Sequence, residues 1–193
     1  MKIGIIADTH VPHKNERLGE RMLEALEGVN LIIHCGDLVE PAVIEELTKI
    51  APVEAVMGNH DEDRFGPELP RKKVLELAGY RIGIIHGDEL DGLHVNKTQQ
   101  FDLLSQIVVE PFIDDKPVDC ILFGHGHRPL LESYRVIFRP GPDYIEKKVK
   151  KDVILFNPGK PIRSRHISSM GFLHLGDDDI RVELKIFSYP KKD

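Results

Sequence analysis

An α/β fold of two mixed β-sheets packed face to face and flanked by helices, an α-β-β-α sandwich, is what this sequence predicts. Three observations point there. Apolar runs at 3–7, 31–33 and 53–57 alternate with helical spacings, the β-α-β-α-β order that builds parallel strands through right-handed crossovers. Further apolar runs at 82–85 and 120–123 follow a hairpin signal and lead into a β-rich C-terminal third. With 193 residues, 41% of them hydrophobic and 30% charged, the chain can bury one sizeable core and reads as a single domain over residues 1–193.

The elements follow in order. After the strand at 3–7, Leu18, Met22, Leu26 and Val29 keep close to helical spacing and predict a helix over 16–27. The second strand ends at Cys35. Val43, Ile44, Leu47 and Ile50 then mark an amphipathic helix with Pro41 in its first turn, and 52–57 is the third strand. Val74, Leu75 and Leu77 lead through Ala78-Gly79 into 81–85 as a hairpin. A third helix is expected from Asn96, where Asn96 and Gln99 resemble a capping box. It buries Phe101, Leu104, Ile107 and Val108 and stops before Pro111. Stretches 130–138, 149–156, 162–168, 171–175 and 180–187 read as strands. The turn signal Arg139-Pro140-Gly141-Pro142-Asp143 makes 134–150 a protruding hairpin.

Charge and cysteine content narrow the function classes. A net charge of −6 argues against a broad electrostatic grip on polymeric nucleic acid. Cys35 and Cys120, far apart and inside or beside strand-like runs, read as two buried reduced thiols. No apolar stretch approaches membrane-spanning length, and 3–7 is too short for a signal-peptide core, so a reducing cytoplasm is the expected compartment.

Function is carried by five motifs that each follow an apolar run: Asp8-Thr9-His10, Gly36-Asp37, Gly58-Asn59-His60-Asp61, His86-Gly87 and Gly124-His125-Gly126-His127. Strands of one sheet ending on one side would deliver them to one place. The i, i+2 spacing of Asp8/His10 and of His125/His127 aims each pair the same way from an extended backbone. Imidazoles, carboxylates and an amide gathered together suit a pair of metal ions. The mixed nitrogen and oxygen donors favour Mn²⁺, Fe²⁺, Co²⁺, Ni²⁺ or Zn²⁺ over Mg²⁺ alone.

The ordered set D-x-H, G-D, G-N-H-D, H-G and G-H-x-H resembles the calcineurin-like metallophosphoesterase superfamily, from residue 1 to about 159. In size the chain is similar to its small prokaryotic phosphodiesterase branch, to which the retromer's phosphoesterase-like subunit is related. The resemblance implies two divalent ions, one held by Asp8, His10 and His127 and one by Asn59, His86 and His125, with Asp37 bridging. It implies in-line attack on phosphorus by a hydroxide shared between the ions, and His60 as the proton donor to the leaving oxygen. Small phosphodiesters or nucleotide-like molecules are the expected substrates. Phosphomonoesters and nucleotide pyrophosphates are the alternative, and a weakly catalytic binding scaffold of the same fold is a second.

The chain departs from the family pattern at three positions. Gly126 stands where relatives carry Thr, Asp88 where many carry His, and Lys160 where many carry Ser. Glu40 either orients His60 or favours the start of the helix at Pro41. His13, Lys160, Arg163 and Arg165 are candidate substrate contacts, against the plainer reading of solvated loop side chains. His34 is expected to turn away from the site into a hydrogen-bonded core position, and His174 to be structural. A small phosphate-ester substrate is the expected partner, with neither membrane nor polymeric nucleic acid, and self-association left open.

Overall fold

Parallel strands form where the sequence alternates apolar runs with amphipathic helices. In the computed structural model, which describes residues 1–11, 18–88, 106–114, 116–140, 148–161 and 168–188, β1 (Lys2–Ile6), β2 (Leu31–His34) and β3 (Val53–Ala55) pair in parallel. Helices α1 (Glu20–Leu26) and α2 (Ala42–Thr48) lie between them in sequence. The short α3 (Glu62–Phe65) follows β3, and β4 (Lys72–Leu77) and β5 (Tyr80–Ile85) form an antiparallel hairpin. Then come β6 (Cys120–Leu122), β7 (Pro129–Phe138), β8 (Val149–Pro158), β9 (Ser168–Leu175) and β10 (Ile180–Phe187). The first sheet has the order β10-β9-β1-β2-β3 and the second β4-β5-β6-β8-β7.

Side-chain alternation sorts the core into layers. On β1, Ile3 and Ile5 point between the sheets, where they meet Ile33, Ile82, Ile84, Leu122, Phe156 and Leu173. Ile6 points the other way, into a layer with Met22, Leu26, Leu47 and Phe172 under the helices. The outer face of the second sheet packs Phe123, Val136 and Leu155 against Val108 and Phe112. This is the α-β-β-α layering, built by placing consecutive apolar residues on opposite faces.

Several boundaries differ from expectation, each for a local reason. Helix α1 begins at Glu20 because Gly19 is extended, at ψ 130°; residues 16 and 17 lie outside the described residues. The helix expected from Asn96 falls largely outside them too, but residues 106–109 are helical. The chain does not stop before Pro111. It tightens into a 3₁₀ turn at Glu110–Phe112, where a proline near the start forfeits no helical hydrogen bond. Ala78 (φ 48°) and Gly79 (φ 84°) close the β4–β5 hairpin as a two-residue turn with both residues left-handed. The long β7–β8 ladder runs from Pro129↔Pro158 to Phe138↔Val149, while residues 141–147 at its expected tip lie outside the described residues. Ser168 opens β9, and the rest of the strand expected at 162–168 lies outside them as well.

One difference bears on function. The five motifs are delivered by two sheets, not one: the first three follow β1, β2 and β3, and the last two follow β5 and β6. The sheets meet at this rim through hydrogen bonds such as His86 Nδ1–H to Cys35 O at 2.7 Å. Phe156 lies at the centre of the inter-sheet layer, fully buried, its ring filling the space a side chain on Gly171 would need. Phe156→Ala should therefore lower stability by about 3–5 kcal/mol in urea unfolding, the cost of a large cavity between two rigid sheets.

Candidate metal centre

Two buried carboxylates organise the site. Asp8, at the end of β1, and Asp37, after β2, have almost no exposed surface. Asp8 Oδ1 lies 3.4 Å from His127 Nε2 and 3.9 Å from His10 Nε2. Asp37 Oδ2 lies 3.5 Å from His10 Nε2 and 3.3 Å from His86 Nε2. The donor atoms of Asp8, His10, Asp37 and His127 all fall within 4.8 Å of one another. His10 Nε2 and His127 Nε2 face each other at 3.0 Å, so they cannot both carry a proton aimed along that line. His125 stacks edge-on to His86 with ring centres 5.3 Å apart, and its backbone N–H donates to Asp8 Oδ1 at 3.1 Å.

The donor atoms fit divalent ions on a second count. Among the described residues, six buried side-chain nitrogens or oxygens lack a hydrogen-bond partner, and three belong to this group: Asp8 Oδ2, Asn59 Oδ1 and His86 Nε2. Leaving a buried polar atom unpaired costs about 1–3 kcal/mol. Asp8 Oδ2 and Asn59 Oδ1 are thus available to cations, and His86 Nε2 lies 3.3 Å from Asp37 Oδ2 without an aligned hydrogen bond. His86 is prepared for this role, because its Nδ1–H is committed to Cys35 O, which turns Nε2 inward.

The backbone is strained in the same place. Non-glycine residues with left-handed φ are Asp8, His10, Asp37, Val39, Ala78, His125 and His127 among the described residues. All but Val39 and Ala78 are candidate ligands. Such conformations cost about 1–3 kcal/mol each and persist only where the surroundings over-determine them. The flanking glycines are required by crowding: a Cβ on Gly58 would overlap Asp37 Oδ1, and one on Gly36 would sit 2.6 Å from His86 Nδ1.

Residues 1–178 match the model of the calcineurin-like phosphoesterase superfamily domain. The chain belongs to that superfamily. It is 33% identical over 161 residues to a chain of Methanothermobacter thermautotrophicus named "Probable metallophosphoesterase", covering 83% of this chain and 77% of that one. The solved structure of an archaeal phosphodiesterase is similar at a TM-score of 0.63 and 26% identity, over 96% of this chain and 100% of that one. Vps29 of Chaetomium thermophilum shares the fold at a TM-score of 0.63 and 17% identity, over 98% and 97% of the two chains. A superfamily of metallophosphoesterases accounts for a metal-binding cluster at this rim.

Other groups hold the phosphoesterase site together, and the motifs alone did not single them out. Asp61 is fully buried and accepts three backbone N–H groups at 2.8 Å, from Asp37, Val39 and Gly58. It thereby locks the Asp37 loop to the Asn59-His60 loop. Its signal was its place as the fourth residue of Gly58-Asn59-His60-Asp61. Asn157 plays the same part across the second sheet, with Nδ2–H donating to Gly124 O at 2.6 Å and Oδ1 accepting Gly159 N–H at 2.8 Å. Thr9 Oγ1 lies 3.0 Å from His34 Nε2, so His34 does turn into the core beneath the ligands.

The remaining candidates separate clearly. Glu40 is buried with its carboxylate 3.3 Å from Arg64 Nη1, and no hydrogen bond joins it to His60 among the described residues. The His60 backbone N–H instead donates to Asp37 Oδ1 at 3.0 Å, and its ring stands edge-on to His10 with centres 5.2 Å apart. Asp88 is tied to Arg71, Nη1 to Oδ2 at 3.0 Å, and Arg71 also pairs with Glu62. Lys160 accepts the Ser169 N–H on its carbonyl at 2.9 Å, and its charge reaches His10. His13, Arg163 and Arg165 lie outside the described residues. His174 meets Glu183 Oε2 at 3.1 Å on the first sheet, away from the ligands. Both cysteines are free and buried, and burial raises both thiols. No helix among the described residues is long and apolar enough to cross a membrane.

Burial and charge pull the buried histidines in opposite directions. Burial opposes a charge on His86, but the Asp37 carboxylate outweighs it and raises the ring to about 9. Burial likewise pushes Asp37 up, and the His86 ring and the His60 N–H hold it down at about 2. His34 is lowered to about 3, first by burial and then by the charge of His86. His86 therefore adds stability that is full below 6.5 and lost as pH rises towards 9. His34 penalises folding as pH falls from 6.5 towards 3, and Asp37 adds a loss from 3.8 towards 2. The metal-free chain should be most stable near pH 6.5 in thermal unfolding. Saturating Mn²⁺ should move that optimum upward, because His86 must lose its proton to bind metal.

Proposed function

We propose that the chain is a phosphodiesterase that works with two divalent ions and acts on small phosphodiesters or nucleotide-like molecules. The observation that carries this is the cluster of Asp8, His10, Asp37 and His127 donor atoms within 4.8 Å of one another, beside buried Asp8 Oδ2, Asn59 Oδ1 and His86 Nε2 that make no aligned hydrogen bond. Asp8, His10 and His127 would hold one ion and Asn59, His86 and His125 the other, with Asp37 available to both. Bound there, a pair of divalent ions supplies a nucleophile at neutral pH and neutralises the charge of the transferring phosphoryl group. Manganese, nickel, cobalt, iron and zinc all suit the donor set.

The protein groups have separate tasks. His60, whose backbone is pinned by Asp37 but whose ring reaches the rim beside His10, donates a proton to the leaving oxygen. Lys160, close enough for its charge to act on His10, attracts a phosphate oxygen from the His10 and His127 side. His127 is 43% exposed, so the rim gives access to a substrate with ester groups on both sides of phosphorus. The likeness to an archaeal phosphodiesterase at 26% identity supports the diester preference. Two buried free thiols support a reducing, cytoplasmic setting.

Turnover of bis-p-nitrophenyl phosphate against p-nitrophenyl phosphate, with Mn²⁺, Ni²⁺, Co²⁺ and Mg²⁺ in turn, tests the reading. The diester should be hydrolysed faster. Asp8→Asn should lower turnover by about 100-fold or more through loss of a ligand. His60→Ala should lower kcat by about 10²–10⁴-fold with metal content unchanged. Faster monoester hydrolysis would make the protein a phosphomonoesterase. Full turnover in both variants would remove catalysis from this site.

A further inference from the structure

β10 is the edge strand of the first sheet, paired with β9 on one side and with no strand on the other among the described residues. Its backbone polarity can be read from the turn before it. Gly176 N–H donates to Asp179 O at 2.9 Å, whereas Leu175 N–H turns the other way, to Met1 O at 2.9 Å. By the alternation of an antiparallel ladder, Arg181, Glu183 and Lys185 bond to β9. Ile180, Val182, Leu184 and Ile186 aim their N–H and C=O groups outward.

Side chains alternate in the same way. Glu183 and Lys185 sit opposite Phe172 and Met170, on the face that the helices partly cover. Val182 sits opposite Leu173, on the inner face. Leu184 and Ile186 continue that inner face but are 38% and 59% exposed. In the second sheet, Leu131 of β7 pairs with Phe156, whose ring covers Gly171, the partner of Leu184. Leu131 is itself 54% exposed. An apolar strip thus lies beside a row of backbone groups that no strand among the described residues pairs, the arrangement that invites another strand.

The charges decide which strand. A second β10, running antiparallel about a two-fold axis, can pair most of the strand in two ways. Centred on Glu183, it sets Glu183 against its own copy and Arg181 against Lys185, like charges directly opposite. Centred on Leu184, it sets Glu183 against Lys185 on both sides of the axis, Val182 against Ile186, Leu184 against itself and Arg181 against the Phe187 ring. Glu183 is already held on that face by His174. We propose that a second copy of this chain docks there, giving a two-fold dimer through β10 pairing centred on Leu184. The contact is isologous and therefore closes at two chains instead of growing into a fibre.

Sedimentation velocity on the full chain, from about 1 to about 100 µM, tests this over the range expected of a small interface. The mass should rise to that of two chains. Glu183→Lys and Lys185→Glu should each weaken the dimer by about tenfold, and the two together should restore it. Leu184→Pro removes an outward N–H at the axis but no bond to β9. It should give a monomer with unchanged thermal unfolding and unchanged phosphodiester turnover. A wild-type monomer across the range, or a dimer that survives Glu183→Lys and Leu184→Pro, would overturn the proposal.

Discussion

Asp37 is a carboxylate with almost no exposed surface, facing His10 at 3.5 Å and His86 at 3.3 Å. A buried charge of this kind must be neutralised by partners, since desolvation alone costs several kcal/mol. Without metal the neutralising charge is the His86 proton, which is why Asp37 falls to about 2 while His86 rises to about 9. The same geometry suits metal ions better. His86 presents Nε2 without a well-aligned hydrogen bond, because Nδ1 is already spent on Cys35 O. The pairing between metal and proton at one carboxylate links stability, metal affinity and pH in a single equilibrium.

That carboxylate can stay where it is only because the backbone around it is held from several directions. Asp37 and Val39 are both left-handed, and both donate their N–H groups to Asp61. The candidate ligands after β6, His125 and His127, are left-handed too, and the loop before them is fastened by Asn157 to Gly124 O. Strain in these loops is thus balanced by the buried hydrogen bonds of Asp61 and Asn157. Both sheets contribute, so the site also depends on the apolar layer between them, with Phe156 at its centre.

Much of this was legible in the sequence, and the gaps have physical reasons. Strand-end motifs carried the candidate ligands because continuous apolar runs mark strands buried on both faces and glycine marks close approach, and Gly36 and Gly58 do lie against His86 and Asp37. The hairpin at Ala78-Gly79 and the inward turn of His34 were readable from turn chemistry and alternation. That two sheets share the motifs was not readable, because pairing between distant segments leaves no local periodicity. Asp61 and Asn157 act through backbone groups of other loops, and no spacing rule announces such contacts. Glu40 stood open between orienting His60 and favouring the helix start at Pro41, because its contact with Arg64 at 3.3 Å comes from a separate short helix that no spacing announces. Helix α1 was read as too long because Leu18 keeps the helical period while Gly19 is extended.

A two-ion site at this rim would depend on Asp37. Isothermal titration of Mn²⁺ into metal-free wild type and into Asp37→Asn, with bound metal counted by elemental analysis, tests it most directly. Two ions per chain in the wild type, and loss of at least one in the variant together with its phosphodiester turnover, is the predicted result. A single ion per wild-type chain, or an Asp37→Asn variant that keeps both ions and full turnover, would contradict it.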